Sequence, residues 1–330
     1  MEKKIYRIEP VFEERIWGTK RLQEKYGYKT DLNNIAEVYN VCAMPGHLDN
    51  IVTGTGLHLS EFYKQNRDLF DSDTEEMPVE TCMAHSNSYL SIQVHPDDEY
   101  ALAHEGTRGR PEGWTIIEGP EKSEMEIGNN AKTKEEFIVL SNEKNWDKLF
   151  RYVQMEKYQY IHVPAGSLHA FCKDAVAVAF SNNADVTYRL YDFDRLDAKT
   201  GKPRDLHVQK VFDTVTVPDN HLDPFWPEKH EDNGCVISNY HDEPGVYTAG
   251  RIEVEKEGIY ETDKFMFYTC VDGSGSINGE PIKAGETLFV PKEYGKILIK
   301  GPIDLMYVTY KRRWYEENFN NNPFSYGQRN

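Results

Sequence analysis

The chain has 330 residues, with 38 lysines and arginines against 55 aspartates and glutamates and a formal charge of -17. That balance argues against nucleic acid or an anionic membrane as partner, and the longest purely apolar stretch, Ala175 to Phe180, is far too short to span a bilayer. Met1-Glu-Lys-Lys-Ile-Tyr6 lacks an apolar signal core, so a soluble, cytoplasmic protein with room for two sizeable cores is expected.

In chain order, the N-terminal third mixes short strands with helices. A helix is predicted from Leu59 to Phe70, with Ser60 as its cap, followed by an acidic solvated loop from Asp71 to Glu76. Leu90-Ser-Ile-Gln-Val-His-Pro96 then reads as a strand ended by proline, with Gln93 and His95 two apart and therefore on one face. Capping-box spacing at Thr133-Lys-Glu-Glu136 predicts a second helix, and a third follows Asn145. Tyr160-Ile-His-Val-Pro-Ala-Gly-Ser-Leu-His-Ala170 repeats the earlier format of apolar strand, proline turn and histidine, placing His169 on a second strand. The alternating segments that lead to a helix at Leu206 to Asp213 are the predicted barrel strands.

From Pro218 to Gly234 the residues are those of a connector. Tyr247 to Tyr310 has the rhythm of a second barrel, with turns at Asp272-Gly-Ser-Gly275, Asn278-Gly-Glu280 and Lys283-Ala-Gly-Glu286, but no histidine follows its Pro291. The expected organisation is a metal-binding unit over 1–235, a companion β domain without metal ligands over 236–312, and a polar tail over 313–330 that serves as a linker or arm or is disordered. Cys42, Cys82, Cys172, Cys235 and Cys270 are odd in number, widely spaced and never in a Cys-x-x-Cys pair. This argues against a disulfide framework and a thiolate zinc site, so a metal would take imidazole, carboxylate and amide ligands.

Three segments carry a resemblance. Gln93-Val-His-Pro-Asp-Asp-Glu-Tyr-Ala101, Pro164-Ala-Gly-Ser-Leu-His-Ala170 and Thr187-Tyr-Arg-Leu-Tyr-Asp-Phe-Asp-Arg195 resemble the type I mannose-6-phosphate isomerases, in their shorter bacterial form. Glu14-Arg-Ile-Trp-Gly18 and Arg204-Asp-Leu-His207 extend the likeness to about residue 217. The resemblance implies a mainly β fold of cupin jelly-roll barrels with a few added helices, and a zinc-dependent aldose-ketose isomerase. It maps the metal ligands onto Gln93, His95, Glu112 and His169, with the Glu112 assignment resting only on the glutamate and tryptophan of Arg110-Pro-Glu-Gly-Trp114. Asp97, Asp98 and Glu105 are nearer to His95 in sequence, but Pro96 is expected to turn the first two out to solvent. The family's arginine at the reacting carbons falls on Arg189, and Arg110 and Tyr188 are the expected substrate contacts. An arginine suits that place because it stays charged and presents two donors to adjacent oxygens.

The departures from the family's pattern are specific. Its glutamate about ten residues after the second histidine, a proposed base, is Ala179 here. Cys82 and His85 stand by direct register where a lysine and an aspartate usually precede the first motif, and Arg110 replaces a lysine. A zinc-bound water, Asp185 or Tyr188 are the alternatives for the lost base. Asp192, Asp194 and Arg195 read as a structural network partnering Arg189, while His85, His162 and His207 read as structural histidines. Trp17 and Gly18 are expected to close the barrel or pack beneath the site.

The resulting expectation is a zinc enzyme interconverting mannose 6-phosphate and fructose 6-phosphate, as a monomer or homodimer with a small-molecule sugar phosphate as its partner. The rival, favoured by Ala179, Cys82 and His85, is a metal-binding cupin that senses a sugar or sugar phosphate without turnover.

Overall fold

The computed structural model describes residues 3–171, 173–197 and 200–313, and the predicted tail beyond 313 and Cys172 lie outside them. The described chain is mainly antiparallel β. A five-stranded sheet runs in the order Phe150–Met155, Ser123–Asn129, His169–Ala170, Ile92–Val94, Tyr188–Tyr191. A six-stranded sheet runs Tyr160–Val163, Glu112–Glu118, Val176–Asn182, Val79–His85, Ile35–Val41, Val11–Thr19. Met125, Ile127, Val153 and Met155 of the first pack with Trp114, Ile116, Ile161, Ala177 and Cys82 of the second, which gives the two-sheet jelly roll that the alternating segments predict.

The strands Val79–His85 and Val176–Asn182 are buried at every position. Val176–Asn182 opens with the apolar run Val176 to Phe180 because both its faces are covered, whereas Val79–His85 also buries Glu80, Thr81 and His85. One face joins the jelly-roll core, and the other, carrying Val79, Met83, Val178 and Phe180, packs with Tyr247, Phe267 and Met306 of a twelve-stranded C-terminal sheet and with Phe265 beside it. Each such side chain contributes about 1.5–3 kcal/mol by leaving water, so this middle layer welds the two parts of the chain. The N-terminal strand Tyr6–Glu9 pairs with Thr287–Val290, and Ile51–Val52 pairs with that strand in turn. The start of the chain is thus part of the C-terminal sheet. The short strand Lys229–Asp232 lies inside the segment read as a connector.

The helices Lys134–Asn142 and Val208–Thr214 cover the outer face of the five-stranded sheet, where Phe137, Leu140 and Val211 pack on Ile92, Val94 and Leu190. Thr133 caps the helix Lys134–Asn142 by accepting from the Glu136 N–H at 3.2 Å, as its spacing predicts. The helix predicted to reach Phe70 ends at Gln65, and a separate turn of 3₁₀ helix covers Arg67–Leu69. Ser60 is not its cap. The Ser60 hydroxyl donates to Asp49 at 2.5 Å, and Glu61 instead accepts from the His58 N–H at 3.3 Å. Asp98–Glu105 is a helix that periodicity did not signal. Pro96 ends the strand, Asp97 accepts from the Tyr100 N–H at 2.8 Å, and Gly106 closes the helix at a φ of 69°.

Candidate metal centre and active site

The metal-type residues arrive from both sheets of the jelly roll. On the five-stranded sheet, Gln93 is register partner to His169 on one side and Arg189 on the other, so these three form one lateral row. His95, two residues on from Gln93, shares their face. Glu112 comes from the facing sheet, at the start of Glu112–Glu118. Between Glu112 and Trp114 stands Gly113, where a Cβ would lie 1.8 Å from the Tyr160 hydroxyl oxygen, so only glycine lets the Tyr160 ring cross that strand.

His95, Glu112 and His169 are each no more than 2% exposed, and one ligand atom from each lies within 4.8 Å of the others. His95 Nε2 is 3.3 Å and His169 Nε2 3.7 Å from the Glu112 carboxylate. Both histidines turn Nδ1 to a backbone carbonyl, His95 to Val186 at 2.7 Å and His169 to Ser167 at 3.0 Å. Those contacts fix the tautomer with the proton on Nδ1 and leave both Nε2 lone pairs converging on one point. His95 Nε2 is buried with no hydrogen-bond partner there. The Gln93 amide nitrogen is 3.4 Å from His169 Nε2 while its oxygen accepts from Ser91 at 3.1 Å. The two ends of that amide are interchangeable, and the other rotamer presents oxygen to the same point with nitrogen donating to Ser91. An N₂O₂ set with an orphaned buried nitrogen fits a zinc ion.

The charges around the centre suit a cation. Burial pushes the His169 imidazole down to about 4, helped by His95, so it is neutral and available at neutral pH. Burial would raise the Glu112 carboxyl, but His95 and Arg110 outweigh it and hold Glu112 well below the usual carboxylate range. Trp114 Nε1 donates to the second Glu112 oxygen at 2.9 Å. Arg110 lies 3.1 Å from Glu112 and 3.4 Å from Asp185, and donates to Glu80 at 2.8 Å. With three carboxylates around it, Arg110 orients Glu112 as well as lining the cavity.

That cavity opens beside the centre. Its walls include Gln93, Arg110, Glu112, Ala179, Cys82, Trp17, Arg189 and Asp185, together with Arg15, Glu37 and Arg204. Arg189 Nε is buried without a hydrogen-bond partner, and burial together with Arg204 lowers its affinity for a proton. Tyr188 lies on the opposite face of the same strand, away from the cavity, and its hydroxyl donates to Glu105 at 2.8 Å. Asp192 does not hydrogen-bond to Arg189. It holds Arg204 in a bidentate pair at 2.6 and 2.8 Å and also binds Arg195, while Asp194 accepts from Tyr191 at 3.4 Å. Asp97 caps its helix and Asp98 accepts from the Gly109 N–H at 2.8 Å, both away from the centre. His85 bonds Thr19 at 2.9 Å, and His207 accepts from the Arg189 N–H at 3.2 Å, anchoring that strand to the helix Val208–Thr214.

Arg15, Glu37 and Arg204 were not singled out from sequence. Glu37 had a local signal: in Ile35-Ala-Glu-Val-Tyr39 it takes an inward position of an otherwise apolar strand. Its carboxylate is 3.1 Å from Arg15 Nε, and burial raises its pKa against the pull of Arg15.

No family model matches the chain. The mannose-6-phosphate isomerase ManA of Bacillus subtilis is 33% identical over 307 residues, covering 89% of this chain and 95% of that protein. The chain belongs to the mannose-6-phosphate isomerase family. The crystal structure of the mannose 6-phosphate isomerase from Bacillus subtilis superposes with a TM-score of 0.87 at 30% identity, covering 93% of this chain and 99% of that one. A zinc-bound mannose 6-phosphate isomerase shares the fold, at a TM-score of 0.70 and 14% identity over 93% of this chain and 99% of its own. Membership favours the isomerase expectation over the non-catalytic sensor. Among the described residues no helix is long and apolar enough to cross a membrane.

Proposed function

We propose that the chain interconverts mannose 6-phosphate and fructose 6-phosphate, with a zinc ion held by Gln93, His95, Glu112 and His169. The observation that carries this reading is the meeting of the two Nε2 atoms, the Glu112 carboxylate and the Gln93 amide at one buried point beside an arginine-lined cavity. When bound, zinc supplies a Lewis acid that polarises the sugar's carbonyl and hydroxyl oxygens. Residues 1–235 contribute the site, and 236–312 a companion β domain.

The other steps fall to the chain's own groups. Arg189, in the row with Gln93, donates to the oxygens that gain charge as the enediolate forms. Arg15, paired with Glu37, and Arg204, held by Asp192, are further cavity cations outside the Glu112 network, and their charge suits the phosphate. The methyl group of Ala179 can move no proton. Asp185 is engaged by Arg110 and by His47 at 2.9 Å, and Glu37 by Arg15 at 3.1 Å, but it is Glu37 whose pKa burial raises. Glu37 therefore takes the C2 proton and returns it at C1, and its raised pKa strengthens it as a base. The same reading includes a cytoplasmic location and a monomeric or homodimeric state, the latter open to size-exclusion chromatography.

The test is a coupled assay for fructose 6-phosphate from mannose 6-phosphate, on protein of known zinc content, with and without chelator. Chelator-sensitive turnover is expected. Stoichiometric zinc without turnover on this substrate would overturn the substrate assignment.

A further inference from the structure

A second group of metal-type side chains lies where the edge strand Tyr160–Val163 meets the strand Cys235–Glu243. Alternation along the first strand puts Tyr160 and His162 on one side. On the second, the pairing register shifts between Asn239 and His241. A bulge of this kind lets the consecutive residues Tyr240 and His241 face the same way. The result is two stacks across the junction, Tyr160 on Tyr240 at 5.3 Å and His162 on His241 at 4.4 Å with ring planes 18° apart. Glu243, two residues past His241, brings its carboxylate to 3.2 Å from His241 Nε2. One ligand atom from each of His162, His241 and Glu243 lies within 4.8 Å of the others. His162 Nδ1 is moreover buried and lacks a well-formed hydrogen bond.

We propose that His162, His241 and Glu243 form a second binding site for a divalent transition-metal ion of the zinc, cobalt or nickel class. Two imidazoles and a carboxylate are the donor set such ions take, and the partly exposed setting leaves the remaining position to water. The site shares no residue with the centre at Glu112. A bound ion would clamp the jelly roll to the C-terminal sheet, because His162 belongs to one and the other two ligands to the other.

The experiment is elemental analysis of the full chain after equilibration with zinc and removal of free metal. Two zinc ions per chain are expected in the wild type, and one each in His241→Ala and Glu243→Gln, both with isomerase turnover intact. The His169→Ala chain should retain one zinc, which separates this site from the catalytic one whatever the enzyme's substrate. A wild-type chain holding one zinc, or two that survive both His241→Ala and His162→Asn, overturns the proposal. Glu243→Gln lies at the exposed end of the strand, so it reports on the site even where a histidine variant fails to fold. Its thermal midpoint should also lose part of the rise that zinc gives the wild type.

Discussion

Gln93 and His169 face each other as register partners on neighbouring strands, with the amide nitrogen of one 3.4 Å from Nε2 of the other, although 76 residues separate them in the chain. The ladder that pairs them also sets Arg189 on the far side of Gln93. One row of a sheet thus joins the metal centre to the cation proposed for the reaction, and the two functions can be separated by mutation.

His169→Ala removes an Nε2 whose orientation is already fixed by the Ser167 carbonyl. Zinc at the Glu112 centre is expected to be lost and turnover with it. Elemental analysis and the coupled assay check this together, and a variant that keeps both would remove His169 from the ligand set.

Arg189→Ala leaves every proposed ligand in place. Zinc content should be unchanged while kcat falls on the order of 10²–10³-fold, the usual effect of removing a donor to developing negative charge. Wild-type turnover in this variant would show that Arg189 acts only in packing.

Glu37→Gln keeps the side chain's shape and removes its basicity. Turnover should fall by about 10²–10⁴-fold, the ordinary contribution of a general base. Exchange of the substrate's C2 proton with deuterated water should fall in parallel, with zinc retained. If Asp185→Asn abolishes that exchange and Glu37→Gln does not, the base is Asp185.

In the metal-stripped chain, His169 should contribute a loss of stability on mild acidification. His169 is lowered to about 4 in the fold from an ordinary 6.5, so between those values the unfolded chain binds the proton that the folded chain refuses. Stability therefore rises with pH across that window and falls as pH drops from 6.5 towards 4, by up to ~3 kcal/mol from this group. Glu112, held low, begins to matter only below the unfolded carboxylate value, while the buried carboxyls Glu37 and Glu80, whose pKa burial raises, act with the opposite sign above about 4.5, so the His169 contribution is read as a difference between wild type and variant. Urea midpoints at pH 7, 6 and 5 should show a shallower slope in His169→Gln, and an unchanged slope would exclude this assignment. His162, also pushed down to about 4 by burial and His241, should supply part of what remains.

Much of the centre was legible because strand periodicity and a proline turn are local. Gln93 and His95 two apart before Pro96, and His169 after Pro164-Ala-Gly166, state their faces without reference to anything distant. The Thr133 cap and the Asn278-Gly279 turn are legible for the same reason, since their partners lie within four residues. Tertiary structure alone decided what depends on which strand lies opposite. The apolar residues around Glu37 mark an inward position, but nothing local says that it shares a cavity with Arg204, that Asp192 holds Arg204 rather than Arg189, or that Tyr188 turns to Glu105. The same holds for Tyr6–Glu9, which joins a sheet built from the other end of the chain. Local chemistry sets which way a side chain points from its strand, and only the packing of strands distant in sequence sets what it meets there.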